Sequence, residues 1–430
     1  MEDMMFYAIP EGTKLTSKHK IKYAVIKFIA SGGQGEVYEI EDKGTGVRYA
    51  LKWYYKRSAT PYQLKLIERL IERGSPDHRF LWPIDIVARE GSFGYVMRLR
   101  PPYYKSVVDL MKRRANPSFG SLCLAAINLA DGYQNLHSHG LCYRDISFGN
   151  LFFNPDDGDV LICDNDNVTI NRESESGAIG TPRFIAPEIV TGKKGLSTET
   201  DLYSMAVLLF YMFMLHHPLE GRMEAEIKCF DAKAMEKIYG REPVFIWDPD
   251  DASNRPVPGY QDNAIIFWKI YPPFIREMFT RSFTRGLRDC SRRVVEKEWK
   301  DAFATLRDSI MFCQDCGKEN FYESVSPCWG CGRKIAPPPR LELGKRTVML
   351  NRGAKLHSHH VYGDYDYART IGKVVRHPTL NNKWGLENEC GENWTITKPS
   401  GERAVIEPGR TVPFIIGVKI NFGPIEGVIK

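Results

Sequence analysis

Two kinds of apolar spacing organise the first two-thirds of the chain. Val25 to Ile29 and Val37 to Ile40 are short β-branched runs flanking a Gly-rich turn, and Val47 to Tyr54 follows, which predicts three neighbouring strands. Leu64, Ile67, Leu70 and Ile71 then recur at helical spacing, the signature of a helix with one apolar face. Leu122, Ala125, Ala126, Leu129, Tyr133 and Leu136 predict a longer helix that stops at Gly140. Strands first and helices afterwards predict a two-lobed α+β unit. Beyond a Pro-Pro-Pro linker at 337–339 the pattern changes. Thr347 to Leu350, Trp394 to Thr397, Ala404 to Ile406, Val412 to Ile416 and Lys419 to Phe422 are short apolar runs, several of them separated by Gly/Pro turns, and predict a β-sandwich.

Composition narrows the class. At 430 residues the chain is long enough for two or three domains of ~150 residues. Hydrophobic residues at 43% and charged residues at 26% exclude a disordered or fibrous chain. A net charge of +6 is too weak to argue for nucleic acid. The acidic start Met1-Glu2-Asp3 has no apolar run behind it, and Met205 to Leu215 is far short of the ~20 residues that cross a bilayer, so a soluble cytoplasmic protein is expected. Four of the ten cysteines form two C-x-x-C pairs, a metal-site pattern in a reducing compartment.

Candidate chemistry lies in the ordered turns of the α+β unit. The loop Ala30-Ser31-Gly32-Gly33-Gln34-Gly35-Glu36-Val37 would let backbone N–H groups approach a phosphate. Lys52 closes the following strand. Asp145 follows Tyr143-Arg144, Asn150 lies five residues later, and Asp164 ends the short strand Leu161-Ile162-Cys163. Oxygen ligands on adjacent turns can hold Mg²⁺ and orient a hydroxyl.

This ordered set, with Ala186-Pro187-Glu188, Asp201 and Arg293, resembles the eukaryotic-type protein kinase family over 22–309. The resemblance implies a bilobal fold and transfer of the ATP γ-phosphate to Ser or Thr hydroxyls, including its own. Lys52 would hold the α- and β-phosphates, with Glu68 on the apolar-faced helix as its ion-pair partner and Glu72 as the competing candidate. Asp145 would be the catalytic base, and Asn150 and Asp164 the ligands of Mg²⁺ or Mn²⁺. Ala30, Gly32, Gly33 and Gly35 would cover the phosphates. Val37 and Ala50 would roof the adenine, Phe152 would floor it, Met97 would be the gatekeeper, and Arg98 to Arg100 the hinge. Glu188 and Arg293 would form a buried ion pair. Arg144 implies an ordering phosphate on the segment between Asp164 and Glu188, with Ser174 and Ser176 the candidate sites and Thr181 bonding to the catalytic aspartate. Ala30 stands for the usual first loop glycine, Ser147 for a lysine, and Asn165-Asp166 for the Phe-Gly that usually follows the metal aspartate. The last two departures motivate the alternative of a pseudokinase scaffold whose other modules recruit partners.

Cys313, Cys316, Cys328 and Cys331 form two C-x-x-C-G knuckles with 11 residues between them, which predicts a structural Zn²⁺ in a zinc ribbon over 310–336. In the last block, 340–430, the stretch Gly385-Leu386-Glu387-Asn388 through Ile420-Asn421-Phe422-Gly423 resembles the end of a forkhead-associated domain, with Ser358, His360 and Gly372-Lys373 as weak stand-ins for a phosphothreonine site. The order of modules, with Leu219-Glu220-Gly221-Arg222 and Trp247-Asp248-Pro249, resembles bacterial kinases of tellurite-resistance-like neighbourhoods. That resemblance implies a PP2C-type phosphatase and a von Willebrand A-type protein as partners, besides protein substrates.

Overall fold

The strand alternation predicted for the N-terminal third produces an antiparallel sheet with two buried faces. In the computed structural model, which describes residues 9–89, 91–172, 180–323, 327–377, 379–380 and 383–430, six strands form it: β1 (Lys14–Thr16), β2 (Lys22–Ser31), β3 (Gly35–Asp42), β4 (Arg48–Tyr54), β5 (Asp85–Arg89) and β6 (Ser92–Arg98). They lie in the order β1-β2-β3-β4-β6-β5. Because side chains alternate along a strand, Leu51 and Trp53 of β4 join Tyr38, Ile40, Val87 and Val96 on the outer face. Ala50 and Tyr54 join Tyr95 and Met97 on the inner face, against the rest of the core. Lys52 lies between Ala50 and Tyr54 and so shares that inner face.

Helix α1 (Pro61–Arg73) crosses the inner face. Thr60 caps it by accepting from the Gln63 amide, Pro61 fills its first turn, and Gly74 ends it at φ 76°. Leu66, Ile67 and Leu70 are buried along one stripe, as their spacing predicts.

The second lobe is built around the Phe119–Ser138 helix, which begins at the Ser118 cap. Every residue from Thr200 to Met214 of the Thr198–Met214 helix is buried, so this apolar run is the core of a globular lobe. The Glu296–Asp308 helix packs on both, and Phe303 stacks on Phe213 with ring centroids 4.5 Å apart. Among the described residues no helix is long and apolar enough to cross a membrane. Two small ladders shape the turns that matter for chemistry: Leu141–Cys142 pairs with Thr169–Ile170, and Leu151–Phe153 with Val160–Ile162.

The cysteine block opens with Ile310–Phe312 paired to Glu319–Phe321. It is fastened to the second lobe. The Glu319 carboxylate accepts from the Phe119 and Gly120 amides at the start of the Phe119–Ser138 helix, and Phe321 lies in the same core as Tyr271. The last block holds a six-stranded and a four-stranded antiparallel sheet around one core containing Leu341, Leu386, Trp394, Val412 and Ile420. The strand expected over Val412 to Ile416 is shorter: Thr411–Pro413 forms the ladder, Pro413 is tolerated opposite Gly385 in a non-hydrogen-bonded pair, and the last bond runs from the Phe414 amide to the Trp384 carbonyl at 3.1 Å. Ser358 donates to Asp364 at 2.6 Å and His360 is bonded to Asp308 at 3.0 Å, so neither is turned outward to receive a phosphothreonine. Tyr365 and Tyr367 dock this block on the Glu296–Asp308 helix, with Lys300 and Arg307 over their rings at 4.3 and 4.2 Å.

Candidate active site

The turn between β2 and β3 carries the Gly-rich loop. Ala30 pairs with Val37 across the ladder, and the Gly32 amide donates to the Gly35 carbonyl at 2.9 Å. Gly32 and Gly33 stand open at the tip. At Gly35 a Cβ would lie 2.1 Å from the Trp53 carbonyl oxygen, so only glycine lets β3 approach β4 there. Ala50 pairs with Met97, both are buried in the main core, and Val37 and Phe152 pack half-buried against that core. Arg98 is exposed and donates to the His78 and Phe80 carbonyls. The Arg100 guanidinium lies 4.1 Å from the centre of the Phe152 ring and donates to the Tyr104 carbonyl at 2.9 Å, so the expected adenine floor already carries a planar cation.

Lys52 is buried, unlike the solvated lysine that usually ends a strand. Its ammonium donates to both carboxylate oxygens of Asp166 at 3.0 and 2.9 Å, to Asp164 at 3.2 Å and to Gln34 at 3.4 Å. Burial works to lower the Lys52 pKa, but the charges of Asp166 and Asp164 outweigh it and hold the ammonium above its ordinary value. Burial raises the Asp164 carboxyl pKa, opposed by Lys52 and reinforced by Asp166.

Glu68 is not the partner of Lys52. It accepts from Lys18 at 2.8 Å, and Glu72 is exposed. The reason is helical phase. The α1 stripe that faces the site runs through Leu66, Ile67 and Leu70, and one residue of helix turns Glu68 about 100° off Ile67. The α1 side chain that reaches the site is Gln63, which donates to the Tyr54 hydroxyl at 3.1 Å and the Asp166 carbonyl at 3.2 Å.

Asp145, Asn150 and Asp164 come together at the ends of the two small ladders. Asn150 donates to the Asp145 carbonyl at 2.7 Å and its carboxylate at 3.3 Å. The other Asp145 oxygen accepts from the Thr181 amide at 3.0 Å and hydroxyl at 2.8 Å. Gly180 makes that approach possible, since at φ 93° a Cβ would lie 2.9 Å from the Arg144 carbonyl. Arg144 and Asp164 adopt left-handed backbone, with φ of 77° and 55°, a conformation concentrated at functional turns.

Asp201 holds the loop from behind. Its carboxylate accepts from the Tyr143 and Arg144 amides at 2.5 and 2.9 Å. His137 bridges Asp201 and Glu296, and burial of its ring is outweighed by those two carboxylates, which raise its pKa to about 9. Arg293 donates to Glu188 at 2.8 Å and is buried. Sequence reasoning missed His137 and the role of Asp166. The one signal for Asp166 was an acidic residue where a glycine is usual.

Arg144, Arg172 and Lys194 line a pocket of about 570 Å³ with Glu188 and Glu199. Arg172 pairs with Glu199 at 2.5 Å and Glu188 with Arg293, and among the described residues no carboxylate pairs with Arg144. Ser174 and Ser176 lie outside the described residues.

The four cysteine sulfurs lie within 4.8 Å of one another, with Cys313 to Cys331 and Cys316 to Cys328 at 3.7 Å. A tetrahedron of ~2.3 Å Zn–S bonds has edges of about 3.8 Å, so the set fits Zn²⁺. The Gly330 amide and the Asn320 side chain donate to the Cys328 sulfur at 3.3 and 3.5 Å, contacts that stabilise thiolate charge.

The model of the protein kinase domain matches residues 23–267, more than half of the chain. The chain belongs to the protein kinase domain family. Curated relatives include serine/threonine-protein kinases. Serine/threonine-protein kinase plk-2 of Caenorhabditis elegans is 28% identical over 237 residues, 53% of this chain and 34% of its own. Serine/threonine-protein kinase PLK1 of Xenopus laevis is 30% identical over 204 residues, 46% and 34% of the two chains. Cell cycle serine/threonine-protein kinase CDC5/MSD2 of Saccharomyces cerevisiae is 27% identical over 217 residues, 47% and 30% of the two. The chain spans about a third of the length of these relatives, and the family match ends at residue 267, before the cysteine block.

Proposed function

We propose that this protein kinase domain transfers the γ-phosphate of ATP to serine or threonine hydroxyls of protein substrates and of itself. The observation that carries the reading is the Asp145 carboxylate, gripped by Thr181 on one side and Asn150 on the other, beside Asp164 and the buried Lys52. Asp145 accepts the hydroxyl proton of the substrate. Thr181 fixes the rotamer of that base and ties it to the segment on which a peptide would lie. Lys52 presents its ammonium to the α- and β-phosphates. Asp164 and Asn150 would hold Mg²⁺ or Mn²⁺ through their side-chain oxygens, and the ion would supply neutralisation of phosphate charge. Positioning and charge stabilisation supply most of the rate in such chemistry.

The four-cysteine cluster is read as a structural zinc site in a ribbon, because all four tetrahedral positions are sulfur and none is left for a substrate. A forkhead-associated likeness of the last block and a PP2C-type phosphatase and von Willebrand A-type partner rest on sequence resemblance, and a cytoplasmic location rests on the residue pattern and cysteine usage.

The test is incubation of the full chain with labelled ATP and Mg²⁺, followed by mapping of phosphorylated residues. Incorporation that is lost in Asp145→Asn and Lys52→Met supports the reading. Absence of transfer by the wild-type chain to itself and to generic protein substrates favours a scaffold instead.

A further inference from the structure

A buried ammonium that must meet phosphates needs a fixed carboxylate beside it, both to offset desolvation and to aim it. In this chain α1 offers none. Glu68 faces Lys18, Glu72 faces solvent, and the residue that does reach inward is the neutral Gln63.

Asp166 fills that place. The short 3₁₀ turn Asn165–Asn167 follows the left-handed Asp164, and it aims the carboxylates at 164 and 166 at the same ammonium. The two differ in exposure. The Asp166 side chain is 0% exposed, whereas that of Asp164 is 37% exposed. Asp166 is surrounded by donors from the inner face of the sheet. Both of its oxygens receive Lys52, one also receives the Tyr54 hydroxyl, and the Tyr95 hydroxyl lies 3.4 Å from the other. Tyr54 and Tyr95 flank Lys52 because β4 alternates and β6 pairs Tyr95 directly opposite Lys52. Asp164 therefore keeps an open side toward the cleft, and Asp166 does not.

We propose that Asp166 is the positioning residue that orients Lys52, in the place where the sequence led to an α1 glutamate. Asp164, which Lys52 reaches at 3.2 Å through one oxygen, keeps its exposed side for the metal. The arrangement ties the lysine to the turn after the metal aspartate, and α1 contributes to it only through the neutral Gln63, which donates to the Asp166 carbonyl and the Tyr54 hydroxyl. Among the described residues Lys52 has no pair with an α1 glutamate to be made or broken.

The inference rests on the protein kinase reading, and the test separates the two. Steady-state phosphotransfer and Mg·ATP binding by calorimetry are compared for the full-length wild type, Asp166→Asn, Asp166→Glu, Glu68→Gln and Glu72→Gln. Asp166→Asn is expected to lower kcat/KM for ATP about 100-fold, the scale of an ångström of misplacement. Asp166→Glu should recover part of the loss, and both α1 variants should stay within about twofold of wild type. A merely structural Asp166 would lower the unfolding temperature and leave the KM for ATP and the binding constant of the folded fraction unchanged. That result overturns the inference, as does loss of activity in Glu68→Gln with Asp166→Asn intact. If Asp166→Asn fails to fold, Asp166→Glu carries the comparison: a changed kcat or KM for ATP in folded protein supports the inference, and wild-type values for both overturn it. A wild-type chain that transfers no phosphate overturns the kinase reading alone. Calorimetry then still decides for Asp166, by at least about tenfold weaker Mg·ATP binding in Asp166→Asn or by none.

Discussion

The Thr181 hydroxyl donates to the Asp145 carboxylate at 2.8 Å, and the Thr181 amide donates to the same oxygen at 3.0 Å. The proposed base is thus anchored to the segment that would carry the substrate. Thr181→Ala keeps the amide contact and loses the hydroxyl. The expected outcome is a fall in kcat of about 10- to 100-fold with little change in the KM for ATP, and near wild-type kcat in Thr181→Ser. Steady-state kinetics with ATP varied checks it.

Glu188 and Arg293 form an ion pair with Arg293 5% exposed. Removing one partner leaves the other charge buried, so Glu188→Ala should cost about 3 kcal/mol or more of stability. Urea unfolding of wild type and variant measures it. A double variant that removes both charges should lose less than the sum of the single changes.

His137 supplies the pH dependence. Its pKa is raised to about 9 in the folded protein by Asp201 and Glu296, against 6.5 ordinarily. A raised folded-state pKa contributes stability that is fully present below about pH 6.5 and is lost as pH climbs through about 9. Thermal unfolding between those limits should show wild type losing stability more steeply than His137→Gln. Parallel slopes would remove His137 as the cause.

Metal removal should reach beyond the ribbon. Zinc in such sites contributes ~10 kcal/mol or more to local folding. Glu319 and Phe321 fasten this module to the start of the Phe119–Ser138 helix and to the core. From sequence alone, Cys313→Ser would be expected to unfold the ribbon and spare the lobes. The packing changes that expectation: Cys313→Ser or a strong chelator should also lower the main unfolding temperature. Metal analysis should find one zinc per chain before treatment.

Arg144, with Arg172 and Lys194, lines a pocket that holds more cationic than paired anionic groups among the described residues. Phosphate on the neighbouring segment would complete it. Alanine at both Ser174 and Ser176 should therefore lower activity and abolish its loss on phosphatase treatment. Full activity of that double variant after phosphatase treatment would point to Glu173 and Glu175 as the ordering charges.

The sequence by itself determined most of the architecture and the catalytic turn, because those features are local. Apolar spacing of two or of three and four marks β4, α1 and the Phe119–Ser138 helix, and the order of Lys52, Asp145, Asn150 and Asp164 marks the chemistry. Paired C-x-x-C knuckles mark a metal site for the same reason, since ligand spacing is written along the chain. Tertiary structure alone decided which carboxylate Lys52 meets. Glu68 and Asp166 are both acidic, and no local pattern ranks them. Helical phase carries Glu68 away to Lys18, and a 3₁₀ turn brings Asp166 under Tyr54 and Tyr95 from 114 residues away along the chain. The bridge of His137 between Asp201 and Glu296, and the fastening of the cysteine block by Glu319, were equally invisible. Each joins residues remote in sequence, whose charges could have been satisfied by water until the surrounding core excluded it.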